Sequence, residues 1–407
     1  MKAVHVLGVV LFASAACGGA SRQADAGGGD VRADQGADAP DAVIDAVTLD
    51  AETSADLPND IPPFDAITPG QCTLASVKGV TCAPNDLVIV AYADVTLDIS
   101  GPCTAGKTAH LTAKADAKGQ YEFDSVPVGD ATLSFQSGSY KSSSDLTILP
   151  GDAIDLTLAA GRCFTVGAAN LAVILGSADH IEQLLDDLKL TYKSFADTKP
   201  APTTSPAYAL LKDPVALGKY DVLFINCSSS VQKIIEADAS VAKNLKAFVE
   251  SGKSLYASDW AWAYIEKAWP GAIQFAGKPA SFTMGNTGKP DSTAGPRQGP
   301  GGSNGKPYTL TGQVVDQDLV NALGKGSVTI YFNQATWVVM DGPGTGTTHI
   351  EGDIAGGFGT KPLIVSFQPA GTQGHVIFTS FHNIAQQDAG GDVTDIKAIL
   401  SYFVFKL

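Results

Sequence analysis

Apolar and polar residues alternate in the first folded part of the chain and form continuous apolar runs in the second. Between residues 72 and 163 the alternating runs are short and are separated by turns rich in Gly, Pro, Asn and Asp. This pattern predicts the strands of a small all-β sandwich. The predicted strands are Leu87–Tyr92, His110–Ala115, Tyr121–Phe123, Ala131–Phe135 and Ile154–Leu158.

From residue 164 to 407, apolar strands alternate with helical segments, which predicts an α/β domain with a mostly parallel, flavodoxin-like sheet. Asp179 and Glu182 predict the capped start of one helix, and a final helix is predicted from about Asp392 to Leu407. A loop rich in Gly, Pro, Asn and Ser at 285–307 is predicted to be mobile. The predicted strands are Leu171–Gly176, Tyr220–Cys227, Ser254–Ser258, Pro362–Phe367 and His375–Phe381, with a β-rich insertion at Val328–Phe332 and Thr336–Met340.

The chain begins with the features of a secretory signal. Lys2 precedes an apolar run from Val4 to Ala13, and small residues lead directly into Cys17. The segment is too short for a stable membrane span, so residues 1–16 are predicted to be a signal peptide. The site resembles a bacterial lipobox, with Ser14 where that family usually has leucine. The resemblance implies acylation of Cys17 and a lipid-anchored protein of the cell envelope, on the outer membrane and facing the periplasm or the surface. The alternative is ordinary secretion.

Residues 17–71 are mostly Ala, Asp, Gly and Pro. Residues 18–71 carry a net charge of −9 out of the −15 of the whole chain. Such a segment has too little apolar surface to offset the entropy of ordering, so it predicts a disordered tether between membrane and folded domains. Because no cluster of basic residues occurs, nucleic acid is excluded as a partner.

The remaining cysteines divide into two groups. Four of them lie in the predicted sandwich, and an oxidising compartment favours disulfides there. Four cysteines allow three connectivities; we favour Cys82–Cys103 with Cys72–Cys163. A zinc site is disfavoured because no C-x-x-C motif is present, and neither a metal nor a cofactor is predicted. Cys227 lies in an apolar strand and is predicted to be a buried thiol outside any disulfide.

The stretches Asp116–Phe123 and Val126–Leu133 place a Gly turn before an aromatic strand and a Val-Pro-x-Gly turn before the next strand. In this they resemble the carboxypeptidase regulatory-like, prealbumin-type module. The resemblance covers about ninety residues and implies a non-catalytic spacer or adhesion unit.

Two segments of the α/β part, 245–261 and 374–383, resemble a class I glutamine amidotransferase-like domain. In active members a strand ends in a nucleophilic cysteine, and a later strand delivers a histidine followed two residues on by a glutamate. Here Asp259 stands at the nucleophile position, His382 matches the histidine and Ile384 replaces the glutamate. A carboxylate is a poor acyl acceptor and Ile384 cannot orient an imidazole, so glutamine amidotransfer is not expected.

Strand ends of an open α/β sheet form a ligand crevice. The side chains expected to meet there are Asp259, His382, Ser258, Ser228, Asp179 and Trp260. Asp259 and His382 could act there as general base and orienting group, or hold a metal with water completing its shell. A structural alternative is that Asp259 caps the helix Trp260–Lys267, that His382 bonds to it, and that Trp260 packs in the core.

Three hypotheses follow from this sequence. The first is a non-enzymatic, lipid-anchored envelope protein in which the β-sandwich is a spacer that displays an α/β domain, and this domain binds a glycan, peptide or protein partner. The second is an envelope hydrolase that uses Asp259 and His382 as general base and orienting group. The third is a scaffold or adhesion protein with no small-molecule site. Solvent access to Asp259 favours the second, whereas a buried Asp259 that accepts backbone N–H groups favours the first or third.

Overall fold

A computed structural model describes residues 72–157, 163–165, 167, 169–198, 201–276, 298–300, 308–332, 334, 336–383 and 394–407. The predicted signal peptide, Cys17 and the tether lie outside these residues, as do Ile384 and most of the predicted mobile loop. The strands are β1 Ala75–Cys82, β2 Asp94–Ser100, β3 Ala109–Lys114, β4 Gln120–Val126, β5 Gly129–Ser137, β6 Tyr140–Ile148, β7 Ala153–Leu156, β8 Phe164–Thr165, β9 Leu171–Ile174, β10 Tyr192–Phe195, β11 Val222–Ile225, β12 Ser254–Ser258, β13 Gln274–Phe275, β14 Gln298–Pro300, β15 Tyr308–Val314, β16 Ser327–Phe332, β17 Thr336–Val338, β18 Met340–Gly342, β19 Thr347–Ile354, β20 Gly359–Phe367 and β21 Val376–Thr379.

The helices lie on the faces or at the edges of the largest sheet. They are α1 Ile181–Asp187, α2 Pro206–Lys212, α3 Pro214–Leu217, α4 Ser229–Ala237, α5 Ala239–Glu250, α6 Trp262–Ala268, α7 Gln317–Leu323 and α8 Thr394–Val404, with short 3-10 turns at Pro102–Thr104, Pro202–Thr204 and Asp259–Ala261. Among the described helices, none is long and apolar enough to cross a membrane.

The first part of the described chain forms two four-stranded sheets. One has the order β4-β1-β7 with β8 paired to β1, and the other has the order β3-β2-β5-β6. Their inward side chains alternate with exposed ones, as in β4, where Tyr121 and Phe123 are buried between exposed neighbours. This alternation is the period-2 pattern from which the sandwich strands were predicted.

The disulfides connect other pairs than those favoured from the sequence. Cys72 is bonded to Cys103, with their Cα atoms 5.6 Å apart, and Cys82 to Cys163, with Cα atoms 6.1 Å apart. The pairing Cys82–Cys103 and Cys72–Cys163 is therefore wrong. Cys82 ends β1, and the parallel pairing of β1 with β8 brings Cys163, the residue before β8, next to it.

The predicted strand Leu87–Tyr92 is also wrong. This segment is a compact turn with a single bridge between Cys82 and Ile89. The Asn85 side chain accepts the N–H groups of Leu87 and Val88, and Tyr92 has a positive φ of 59°. The turn chemistry of Asn85 thus outweighs the apolar run that follows it.

A nine-stranded sheet forms the second part, with the order β10-β9-β11-β12-β21-β20-β19-β15-β16. The first five strands of this order are parallel. Numbered along the chain they run 2-1-3-4-5, which is the flavodoxin-like order. Strands β9, β11, β12 and β21 are buried along their whole length, as expected where helices cover both faces.

The β-rich segment that was predicted as an insertion is divided in the structure: Val328–Phe332 lies in β16 and continues this sheet, whereas Thr336–Met340 contributes to β17 and β18 of two separate ribbons. Strands β20, β19, β15 and β16 pair antiparallel to one another and extend the parallel half from β21. Two short ribbons, β13 with β18 and β14 with β17, lie beside it. Residues 298–300 of the predicted mobile loop form β14.

The two faces of the large sheet have different neighbours. Side chains of α2, α4, α5 and α6 cover one face in a closed apolar cluster. On the other face, side chains of α1 and α8 belong to an apolar cluster that also contains the interior of the sandwich. The two regions therefore share one continuous core.

The C-terminal residues contribute to that shared core. Ser137 donates its hydroxyl to the Phe405 carbonyl at 2.6 Å, and Ser139 N–H donates to the Leu407 carbonyl at 2.8 Å. Gly138 lies between them at φ +54°, where a Cβ would approach Leu407 to 2.5 Å. Glycine is required in this turn by both its backbone angle and the close contact.

Candidate functional site

Strand β12 ends in a sharp turn that presents Asp259. The strand is buried throughout, and Asp259 follows it at φ +43° as the first residue of a 3-10 turn that leads into α6. Aspartate tolerates this left-handed conformation better than most residues. The local geometry is a strand, a tight turn and a helix, as expected for the position of Asp259 in the sequence.

The Asp259 carboxylate is fully buried and engaged through both oxygens. Oδ1 accepts the backbone N–H of Val338 at 2.6 Å. Oδ2 lies 3.0 Å from His382 Nε2 and accepts the Cys227 thiol at 3.5 Å. The N-cap residues of the 3-10 turn and of α6 are Ser258 and Ala261, and not Asp259. The predicted capping role is therefore wrong, whereas the predicted hydrogen bond to His382 is present.

Cys227 is the residue of this cluster that sequence reasoning missed. It was predicted only as a buried thiol of an apolar strand, but β11 and β12 are neighbours in parallel register, with Ile225 opposite Ala257. Two residues further, Cys227 therefore faces Asp259. The signal available in the sequence was that both residues stand just beyond the ends of buried strands, which converge at one edge of a parallel sheet.

Asp179 lies next to this cluster and connects two strand ends. Its Oδ1 accepts the backbone N–H groups of Asn383 at 2.8 Å and of His180 at 2.9 Å. Asn383 also donates its side-chain amide to the His180 carbonyl. Asp179 thereby fixes the segment that carries His382. The predicted capping box at Asp179 and Glu182 is wrong, because α1 begins at Ile181 with His180 as its N-cap residue.

The side chains of the two predicted serines, Ser258 and Ser228, accept hydrogen bonds from backbone N–H groups. Ser258 Oγ accepts the Cys227 N–H at 3.1 Å, which links the ends of β12 and β11. Ser228 Oγ accepts the Ser230 N–H and is the N-cap of α4. Asn226, which was not predicted, accepts the Ile181 N–H and donates to Glu182.

Trp260 is buried in the apolar cluster on the sheet face covered by α2, α4, α5 and α6, with 7% of its surface exposed. Trp262 and Tyr264 are fully buried in the same cluster. The three aromatic side chains therefore pack in the core and offer little surface to a ligand.

Burial and charge act in opposite directions on this cluster. Burial disfavours the charged form of His382, but the hydrogen bond and the charge of Asp259 prevail and raise the pKa of the imidazole above its ordinary value. Burial raises the pKa of the Asp179 carboxyl, with nearby His382 acting against it.

The described residues of this site provide three kinds of metal-ligating atom, namely a thiol sulfur, a carboxylate oxygen and an imidazole nitrogen. None of the three side chains is an exposed nucleophile. Cys227, Asp259 and His382 are all buried, and their ligating atoms lie within 4.8 Å of one another. The Cys227 thiol donates to the Asp259 carboxylate.

The chain matches no protein-family model and no curated protein. Solved structures give similarities at low TM-scores. The structure of PurLQS from Thermotoga maritima is 12% identical and has a TM-score of 0.35, with 58% of this chain and 99% of that chain covered. A β-galactosidase from Rahnella sp. R3 is 11% identical, with a TM-score of 0.32 and coverage of 58% and 31%.

A third similarity covers a smaller part of the chain. A protein from Pseudomonas aeruginosa described as carbohydrate-binding is 12% identical, with a TM-score of 0.18, 24% of this chain and 96% of that chain covered. The chain spans 28% and 31% of the length of two β-galactosidases that it matches.

Proposed function

We propose that this protein is a lipid-anchored, non-enzymatic component of the cell envelope, in which the sandwich and the α/β domain together hold a ligand or partner. One observation carries the non-enzymatic part: the carboxylate at the nucleophile position is fully buried, and both of its oxygens are engaged by Val338, His382 and Cys227. A hydrolase that used Asp259 and His382 would need a substrate to reach them.

The lipid anchor rests on the sequence around Cys17. In this proposal the acylated Cys17 is followed by the tether 18–71, whose like charges extend it. Acyl chains contribute about 0.8 kcal/mol per buried CH₂, so more than one chain gives stable attachment.

A polar groove supports binding of a polar ligand such as a glycan or peptide. It has a volume of about 700 Å³ and lies between the sandwich and the amino edge of the parallel sheet. Asp94 and Lys141 line it from the sandwich, and Asp221, Lys253 and His375 line it from the sheet. Hydrogen-bonding groups from both regions thus face one cleft, which is typical of a ligand site between two structural units.

The anchor and the ligand site are tested separately. Cys17→Ser is expected to release the protein from membranes into the soluble fraction; continued membrane retention contradicts the anchor. For the groove, the melting temperature of the full chain is measured with panels of glycans and peptides. A ligand at 100 times its Kd is expected to add about 2.7 kcal/mol of stability.

The matched variants for the groove are Lys141→Ala and Lys118→Ala. Lys141 lines the groove, whereas Lys118 is an exposed lysine in a turn of the sandwich. Lys141→Ala is expected to reduce the ligand-induced shift and Lys118→Ala to preserve it. Equal shifts in both variants, or hydrolysis of a ligand that is lost in Asp259→Asn, contradict the proposal.

A further inference from the structure

Three side chains of different ligand chemistry converge at the carboxyl edge of the parallel sheet. Cys227, Asp259 and His382 each follow the end of a different strand, β11, β12 and β21, and these strands are neighbours. Asp259 Oδ2 lies 3.5 Å from Cys227 Sγ and 3.0 Å from His382 Nε2. The three ligating atoms lie within 4.8 Å of one another.

The set of donor atoms suits a zinc ion. Zinc accepts thiolate sulfur, imidazole nitrogen and carboxylate oxygen, and its bond lengths of about 2.0–2.3 Å place tetrahedral ligands about 3.3–3.7 Å apart. The separations of 3.0 Å from Asp259 Oδ2 to His382 Nε2 and of 3.5 Å from Asp259 Oδ2 to Cys227 Sγ are close to this spacing. Hard cations such as Ca²⁺ and Mg²⁺ prefer oxygen ligands only, so a thiol in the set argues against them.

The surrounding groups orient two of the three ligands. The Val338 N–H holds Asp259 Oδ1 at 2.6 Å and directs Oδ2 toward the other two side chains. Ser258 Oγ accepts the Cys227 N–H and fixes the backbone at the sulfur ligand. Hydrogen bonds of this kind set the orientation of metal ligands in proteins.

We propose that Cys227, Asp259 and His382 bind one Zn²⁺ ion, with water in the fourth coordination position. On binding, the Cys227 thiol and the His382 Nε2–H each release a proton to solvent, and the sulfur, Nε2 and Oδ2 then each donate an electron pair to the metal. The ion takes no electron and oxidises nothing. It cross-links the ends of three adjacent strands. This proposal does not depend on the lipid anchor or on the ligand groove.

The test is a titration of the full chain with Co²⁺, a spectroscopic substitute for Zn²⁺. All proteins carry Cys17→Ser, so that Cys227 is the one cysteine outside the two disulfides. We expect about one equivalent of Co²⁺ to bind with a thiolate charge-transfer band, and Zn²⁺ to displace it. Cys227→Ser is expected to abolish that band and to weaken binding at least about tenfold.

Two further variants separate ligand loss from general damage. Asp259→Asn keeps an acceptor for the Val338 N–H, and asparagine tolerates the left-handed backbone, so it removes mainly the charged ligand. His382→Gln removes the imidazole, and His110→Gln is its control because His110 is an exposed histidine paired with Asp98. Weaker binding is expected in Asp259→Asn and His382→Gln and unchanged binding in His110→Gln.

A second measurement keeps the proposal testable if a variant fails to fold. The melting temperature of the otherwise unsubstituted protein is compared in Zn²⁺ and in chelator, and an increase in Zn²⁺ is expected. An unchanged melting temperature, no bound Co²⁺, or a thiolate band that persists in Cys227→Ser overturns the proposal.

Discussion

The sandwich and the parallel sheet use cysteine in different ways. In the sandwich region, four cysteines form two disulfides, and many strand positions are exposed on one side. In the parallel sheet, strands are buried along their whole length, and Cys227 contacts a carboxylate at a strand end. The small sandwich, whose strands are exposed on one side, gains stability from disulfide cross-links. The buried parallel sheet has no disulfide at Cys227, and this cysteine contributes to a polar cluster.

The largest effect is expected from removing a disulfide. Cys82–Cys163 closes a segment of 81 residues and Cys72–Cys103 one of 31 residues. Loss of chain entropy in the unfolded state grows with loop length, so we expect replacement by serine to cost about 4–5 kcal/mol for the first pair and about 3–4 kcal/mol for the second. Denaturant unfolding of the two double variants checks this.

Disulfide mapping by mass spectrometry provides the control for that comparison. Peptides that join Cys72 to Cys103 and Cys82 to Cys163 are expected. Peptides that join Cys82 to Cys103 contradict the structure, and so does a larger loss of stability from the shorter loop.

A smaller effect is expected where the two regions share their core. Phe405 packs edge-on against Tyr140 of β6, with ring centroids 5.1 Å apart and both side chains buried. Phe405→Ala is expected to cost about 3–4 kcal/mol and to lower the hydrogen-exchange protection of the β5 and β6 amides. Phe367→Ala is the matched control, because it removes a buried ring from the apolar cluster under α2, α4, α5 and α6, on the sheet face away from the sandwich.

If the regions were independent, Phe405→Ala would leave exchange in β5 and β6 unchanged. That outcome would break the inference of a continuous core. A single unfolding transition for the otherwise unsubstituted protein, followed by probes in both regions, is expected from the same packing.

Alternation and apolar runs predicted the two kinds of sheet, because side-chain periodicity follows directly from backbone geometry. Contacts between distant segments were not predictable in this way. Val338 donates to Asp259 across 79 residues, and no local pattern indicates it. The contact of Cys227 with Asp259 depends on strand order. The disulfide connectivity depends on the pairing of β1 with β8.

Within the α/β region, Glu266 is expected to make stability depend on pH. Burial raises its pKa to about 7 from 4.5, with the neighbouring Lys267 charge acting against this. Because the folded-state pKa is the higher one, the contribution of Glu266 to stability is fully present below about pH 4.5 and is lost as pH rises through 7. Glu266→Gln is expected to stabilise the protein by roughly 1–3 kcal/mol at pH 8.

The same substitution is expected to have little effect at pH 4, where the carboxyl is mostly neutral in both states. Unfolding experiments at the two pH values check the difference. An equal effect at both values would contradict the assignment to Glu266 ionisation.

The smallest effect is expected from a surface ion pair. Lys246 and Glu250 lie one turn apart on α5 at 3.7 Å, and both side chains are exposed. Lys246→Ala is expected to lower the free energy of unfolding by less than about 0.5 kcal/mol, and this difference is expected to disappear at high salt. A cost comparable to that of Phe405→Ala would contradict the view that buried packing holds this region.

The closed state of the site at Asp259 is tested most directly through the reactivity of Cys227. The protein carrying Cys17→Ser is treated with a thiol-alkylating reagent in the presence of a metal chelator, folded and then in denaturant. Because the Cys227 side chain is buried beside Asp259 and His382, we expect no alkylation in the folded protein and complete alkylation after unfolding. Rapid alkylation of the folded protein would show a site open to solvent and would contradict the proposal of a non-enzymatic, closed cluster.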